Sequence, residues 1–273
     1  MIVVTGANAG IGKATALALA RRGGTVLLAA RSASKTAPVV DEIVRTTGNT
    51  AVEHLPLDLA DLESVRAAAA LIEARGEPLD VLVNNAGVAG QRGETAQGFE
   101  LAFGINHLGH FLLTTLLLDL LCRSAPARVV NVSSDSHYSP KRIDFDALRQ
   151  STPSFTGMPE YGVSKLCNVL FTQELARRVP ADEVAAYALH PGVIASEIWR
   201  RVPWPVRPVM KRFMKSPEEG AETTIYCATA PELAGVSGRF YAECREKDPS
   251  PAATPELGAE LWRRSEAWVA ENE

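Results

Sequence analysis

The chain has 273 residues, 46% hydrophobic and 22% charged, which is enough apolar surface for a full globular core and excludes a disordered chain. A net charge of −4 argues against a general nucleic-acid binder, whose footprint is a basic face. Cys122, Cys167, Cys227 and Cys244 stand far apart without a CxxC pair, as expected of reduced thiols in a cytoplasmic protein and not of a disulfide framework or zinc site.

The first strand is expected over residues 2–5 and begins at once, leaving no room ahead of it for a signal peptide or membrane anchor. It runs into Thr5-Gly6-Ala7-Asn8-Ala9-Gly10-Ile11-Gly12 and then a helix over 10–22. Glycines at this junction permit a tight turn and let backbone amides approach a pyrophosphate at the positive helix end. Such a turn alone can be a plain strand-to-helix connection; at the end of the first strand of an alternating pattern it points to a nucleotide.

The second strand, 25–30, ends Ala29-Ala30-Arg31-Ser32. A site selective for NAD(H) places an acid there for the ribose hydroxyls. Arg31 instead suits a 2′-phosphate, so NADP(H) is the preferred reading. NAD(H) is the alternative, and a solvated arginine at a strand end the plainest one.

A helix over 34–47, a strand over 51–57 and a helix over 61–75 follow. Next come a strand over 79–84, a long helix over 96–121 and a strand over 127–132. The most apolar run of that helix, Phe111 to Leu121, is too short to span a bilayer and contains Thr114, Thr115 and Asp119. A helix over 160–178 and a strand over 184–190 complete the regular pattern.

Near-continuous apolar strands alternating with amphipathic helices predict an α/β fold: a Rossmann-type doubly wound parallel sheet of about seven strands, helices on both faces. A single domain over 1–273 is expected, with a cofactor half over about 1–125 and a catalytic and substrate half over about 126–273. Two Pro-containing stretches, 135–160 and 197–217, break the rhythm and are read as substrate loops.

Further residues stand at strand ends: Asp58-Leu59 after the third, Asn84-Asn85-Ala86-Gly87 at the fourth, Ser133-Ser134 at the fifth and Pro191-Gly192 after the sixth. With Asn106 in the long helix, Tyr161-Gly162-Val163-Ser164-Lys165, and the TGxxxGxG spacing, this ordered set resembles the short-chain dehydrogenase/reductase superfamily over nearly the whole chain. The separation of Ser134 from Tyr161, about twice the usual family value, is shared with the retinol-dehydrogenase-like branch, which includes the WW-domain-containing oxidoreductase. Asn106-His107-Leu108-Gly109-His110-Phe111 and the ending Leu261-Trp262-Arg263-Arg264-Ser265-Glu266 are also similar to that branch. This chain shows neither the WW module nor the N-terminal anchor of its membrane-bound members.

The resemblance implies an NADP(H)-dependent oxidoreductase interconverting an alcohol and an aldehyde or ketone, with an apolar small-molecule substrate. It implies catalytic roles for Asn106, Ser134, Tyr161 and Lys165. Tyr161 would be the acid/base, Lys165 one helical turn on would move its pKa toward the working pH, and Ser134 would hold the substrate oxygen. Asn106 would hold a water linking Lys165 to solvent. Cofactor contacts are expected from Gly6, Asn8, Gly10, Ile11, Gly12, Arg31, Asp58, Leu59, Asn85, Ala86, Gly87, Tyr161, Lys165, Pro191, Gly192, Ile194 and Ser196, the last where the family often has threonine. A homodimer or homotetramer through the helices near 96–121 and 160–178 is implied, unless the long tail covers that surface.

Other candidates read as structural. His107 and His110 lack a third ligand at useful spacing and are expected to pack, so no metal is expected. His190 is expected to make local hydrogen bonds. The basic and aromatic segment 198–215 is read as a substrate lid, with a peripheral membrane contact and a plain surface lobe as the other readings. The competing functions are a nucleotide-binding sensor or scaffold without turnover, and an NAD-dependent alcohol dehydrogenase.

Overall fold

A computed structural model describes residues 1–192 and 216–271. The expectations for Ile194, Ser196 and the segment 198–215 therefore lie outside the described residues. The strands are β1 (Ile2–Thr5), β2 (Val26–Ala30), β3 (Val52–Pro56), β4 (Val81–Asn84), β5 (Ala127–Val132), β6 (Val184–His190), β7 (Arg239–Ala242) and β8 (Arg245–Lys247). They form one eight-stranded sheet in the order β3-β2-β1-β4-β5-β6-β7-β8, parallel except for the final antiparallel pair. Every residue of β2 and β4 is buried, as strands covered on both faces require. Winding reverses between β1 and β4, which opens a crevice at the carboxyl ends of these strands.

α1 (Gly10–Ala20), α2 (Ala33–Thr47) and α8 (Pro217–Thr229) cover one face of the sheet. α3 (Leu62–Glu73), α5 (Gly109–Leu116), α6 (Leu118–Arg123), α7 (Met158–Arg178) and α9 (Pro255–Ala270) cover the other. The tail helix α9 begins at Thr254, whose hydroxyl accepts from the Leu257 amide, with Pro255 in the first turn. Its Trp262 meets Phe111 and Phe171 at centroid distances of 5.0 and 5.7 Å, and the Arg178 guanidinium lies 4.3 Å over the same indole. The tail thus covers part of the α5 and α7 surface that the resemblance offers for subunit contact. Among the described residues no helix is long and apolar enough to cross a membrane.

Two differences from the expected elements have physical reasons. About seven strands were expected and six of them placed; the sheet has eight, β7 and β8 being the two not placed, and β8 is three exposed, charged residues that no apolar run announces. Its turn from β7 places Glu243 and Cys244 at φ 53° and 57°, the sense of a two-residue hairpin, without the Asn-Gly or Asp-Gly pair that usually marks one. The single helix expected over 96–121 is instead α4 (Leu101–Phe103), a π-helical segment over Gly104–Leu108, then α5 and α6. Wider turns of this kind recur at functional sites, and this one carries Asn106.

Candidate active site

The first strand and helix meet tightly. Gly6 has φ 66°, and a Cβ there would lie 3.0 Å from both Cα and Cβ of Ala86. A Cβ on Gly12 would stand 2.4 Å from the Gly6 carbonyl and 2.5 Å from Asn85 Nδ2, so only glycine fits. No side chain caps α1 and no acid stands in its first turn, so its positive end is left to an anionic group. Thr5 Oγ1 accepts the main-chain amides of Asn85 and Ala86, both at 2.9 Å, while Asn85 Nδ2 donates to the Thr5 carbonyl at 2.8 Å. These bonds lock the ends of β1 and β4 together beneath the crevice.

The crevice is an open cleft of about 1170 Å³. Gly6, Asn8, Ile11, Gly12, Arg31, Asp58, Leu59, Asn85, Ala86, Gly87, Ser134, Tyr161, Lys165, Pro191 and Gly192 all line it. Gly10 is not on its wall; at φ 54° it starts α1 and contributes through backbone conformation. The uncapped helix and the glycine cradle fit a dinucleotide's pyrophosphate. The rim where β2 ends carries Arg31, Ser32 and Lys35, without an acid among them. Ser32 caps α2 by accepting the Lys35 amide, which sets Lys35 in the first turn beside Arg31.

At the other end of the cleft, Ser134 leaves β5 and starts a short 3₁₀ turn over Asp135–Tyr138. Its Oγ donates to Ser136 Oγ at 3.3 Å and accepts the Ser136 amide at 3.2 Å, and it acts to lower the pKa of the Tyr161 phenol beside it. Ser133 Oγ donates to the Lys165 carbonyl at 2.8 Å. Lys165 is buried: Nζ donates to the Val132 carbonyl at 2.9 Å and stands 5.5 Å from the centre of the Tyr161 ring. Burial holds its ammonium down to about 7.

Burial raises the Tyr161 phenol above its ordinary value, and Ser134 only partly offsets this. The pair as it stands therefore holds a phenol, the proton-donating form.

Asn106 is not on the cleft wall. Its Oδ1 accepts the Val88 amide at 2.8 Å, and its Nδ2 donates to the Val88 carbonyl and to Ser164 Oγ, both at 2.9 Å. Its carboxamide thus ties the β4 exit to α7. One turn on, His110 Nδ1 contacts the Asn106 carbonyl at 3.0 Å, so Nδ1 carries the hydrogen and Nε2 accepts from Thr5 Oγ1 at 2.8 Å. Burial pushes His110 down to about 4 and His107 down to about 3, so both are neutral packing groups, as expected. Among the described residues no cluster of three metal-ligating side chains exists. His190 takes the Asp135 amide on Nδ1 at 3.2 Å and faces its carboxylate at 3.3 Å, the local bonding expected of it.

The sequence reading missed Ser32, Lys35, Ser136, Phe155 and Met158, which also line the cleft. Lys35 carried a usable signal: it is a second basic residue close after Arg31, in the first turn of α2. Phe155 and Met158 lie in an irregular loop whose direction no periodicity reveals. Phe155 is 89% exposed at the cleft edge.

Residues 1–143 match the family model described as "short chain dehydrogenase". The chain is 44% identical over 274 residues to human retinol dehydrogenase 13, covering 97% of this chain and 82% of that protein. It is 43% identical over 282 residues to the WW domain-containing oxidoreductase of Danio rerio, covering 99% of this chain and 68% of that protein. A solved structure described as a Pseudomonas aeruginosa RhlG/NADP active-site complex superposes with a TM-score of 0.71 at 25% identity, covering 88% of this chain and 92% of that one.

Proposed function

Because this chain belongs to the short-chain dehydrogenase family, in the branch of the retinol dehydrogenases and the WW domain-containing oxidoreductase, we propose that it is an NADP(H)-dependent oxidoreductase of an apolar carbonyl–alcohol pair with Tyr161 as acid/base. Oxidoreduction at CH–OH with NAD(P) comes with the family. The finer reading is supported by this chain's own residues, above all by Ser134 and Tyr161 standing together on the cleft, where the serine side chain acts to lower the pKa of the phenol.

The nicotinamide cofactor supplies or accepts the hydride when bound. Gly6, Asn8, Ile11 and Gly12 would hold its pyrophosphate against α1, and Asp58 and Leu59 its adenine end. Arg31 and Lys35, with Ser32 between them, suit a ribose phosphate by charge-assisted hydrogen bonds, which supports NADP(H) over NAD(H). Pro191 and Gly192 line the cleft beside the reacting end.

During reduction, Ser134 Oγ–H holds the substrate carbonyl oxygen and the Tyr161 phenol passes its proton to that oxygen as charge builds there. Oxidation runs the same transfer backward, the alcohol proton returning to the phenolate. Lys165 stands close enough to favour that phenolate electrostatically when charged. Asn106 keeps α7, and with it Tyr161 and Lys165, in register with the β4 end. Phe155 and Met158 at the cleft edge favour an apolar substrate body.

The test is a panel of apolar aldehydes and ketones with NADPH and NADH, followed by loss of cofactor absorbance. NADPH-dependent turnover supports the reading. Tight NADPH binding with no turnover across the panel would favour a nucleotide sensor instead.

A further inference from the structure

We propose that His137 is a positioning residue for Ser134, fixing the serine's main chain and anchoring it to the loop after β8; this rests on the reading of Ser134 given above. The imidazole is buried between two rings, with centroids 3.9 Å from Tyr138 and 4.6 Å from Phe240 of β7. Its Nε2 receives the main-chain amide of Ser250 at 3.0 Å. An amide can only donate, so Nε2 carries no hydrogen. The hydrogen of the neutral ring is then on Nδ1, which donates to the Ser134 carbonyl at 2.7 Å. Burial disfavours the imidazolium that would break this arrangement.

The Ser134 carbonyl also accepts the His137 main-chain amide, at 3.0 Å. One residue thus grips that carbonyl twice, and the ring bond is the one with an anchor behind it. The anchor is itself secured: Tyr138 Oη donates to the Asp248 carbonyl at 2.5 Å, and Ser250 is buried. With its carbonyl held, Ser134 keeps an extended backbone at φ −165°, ψ 157°, its hydroxyl on the cleft and close enough to act on the pKa of Tyr161. The chain segment leading into α9 therefore sets the geometry of the reacting hydroxyl, although it touches no substrate. Small displacements of such a group are costly to rate, because the proton and hydride paths must align together.

The test measures kcat and KM for decanal with NADPH, NADPH affinity by fluorescence, and the ring tautomer by ¹H–¹⁵N NMR, in wild type and three variants. His137→Phe keeps a ring but no hydrogen bond. His137→Asn returns an amide nitrogen near the Nδ1 position, and His137→Gln returns an amide near Nε2. The expected result is an Nδ1–H tautomer and, in His137→Phe, a kcat about tenfold lower or worse, with KM and NADPH affinity within about twofold. His137→Asn recovers most of that kcat and His137→Gln does not. An Nε2–H tautomer, wild-type kcat in His137→Phe, or equal losses in Asn and Gln would overturn the proposal. Ser134→Ala separates the two claims: full turnover there removes the reading of Ser134, whereas an inactive Ser134→Ala beside a fully active His137→Phe removes only the role of His137.

Discussion

Ser133 and Ser134 are adjacent, yet their hydroxyls serve different partners: Ser133 Oγ donates to the Lys165 carbonyl at 2.8 Å, while Ser134 Oγ donates to Ser136 Oγ at 3.3 Å on the cleft and acts to lower the pKa of the Tyr161 phenol. Ser134→Ala is expected to lower kcat/KM by about 10²–10³, the usual cost of removing one donor to a developing oxyanion. Ser133→Ala should retain turnover and lose about 1–2 kcal/mol of stability, because it deletes a buried bond to the main chain. Steady-state kinetics and urea midpoints on both variants check this, and the reverse pattern would exchange the roles.

Arg31→Asp should move cofactor preference toward NADH by about tenfold or more, since it replaces a charge-assisted phosphate ligand with a ribose-hydroxyl acceptor. The ratio of kcat/KM for the two cofactors reads this directly. Arg31 is exposed, so NADPH affinity should also weaken as salt rises. Unchanged discrimination would remove Arg31 from the site.

The positions of the first six strands and the glycine-rich and strand-end parts of the cleft wall were legible from the sequence, because buried parallel strands are continuous apolar runs and glycines mark where backbone must approach a ligand. Thr5-Gly6 through Gly12 and Asn84 through Gly87 are cases of that kind. α8 was legible but unread: Ser216-Pro217-Glu218-Glu219 forms a capping box in which Ser216 and Glu219 bond each other's amides. The π-helical turn at Asn106 was not legible, since its wider winding follows from tertiary packing and leaves no mark on the apolar pattern. Nor was the partner of His137, which lies 113 positions away.

Lys165→Met should abolish the contribution of Lys165 to catalysis while raising stability at pH 6. The folded-state pKa of Lys165 is lowered from 10.5 to about 7, so below 7 the ammonium is buried at full cost. That cost fades as pH rises from 7 through 10.5, where the unfolded chain also loses its proton. The gain in Tm over wild type should therefore be a few degrees at pH 6 and shrink toward pH 10. A gain independent of pH would mean the lysine is not charged at a cost.

His107 and His110 predict acid lability of the same origin in a lower pH range. Their pKa values fall from 6.5 to about 3 and about 4, so below 6.5 the unfolded state binds protons that the folded state refuses. Each should contribute about 2 kcal/mol of lost stability at pH 5 relative to pH 8. His107→Phe, placed among Phe103, Phe111 and Phe171, should remove its share of that pH dependence. Urea titrations at the two pH values measure it, and an unaltered slope would contradict the assignment.

The central claim is proton transfer by Tyr161 coupled to NADPH oxidation, and Tyr161→Phe tests it most directly. The variant keeps the ring against Lys165 and removes only the hydroxyl. NADPH-dependent reduction of decanal should fall by at least about 10²-fold while NADPH affinity stays within about threefold of wild type. Turnover near the wild-type rate in Tyr161→Phe would contradict the account, because no phenol would then be needed to protonate the carbonyl oxygen.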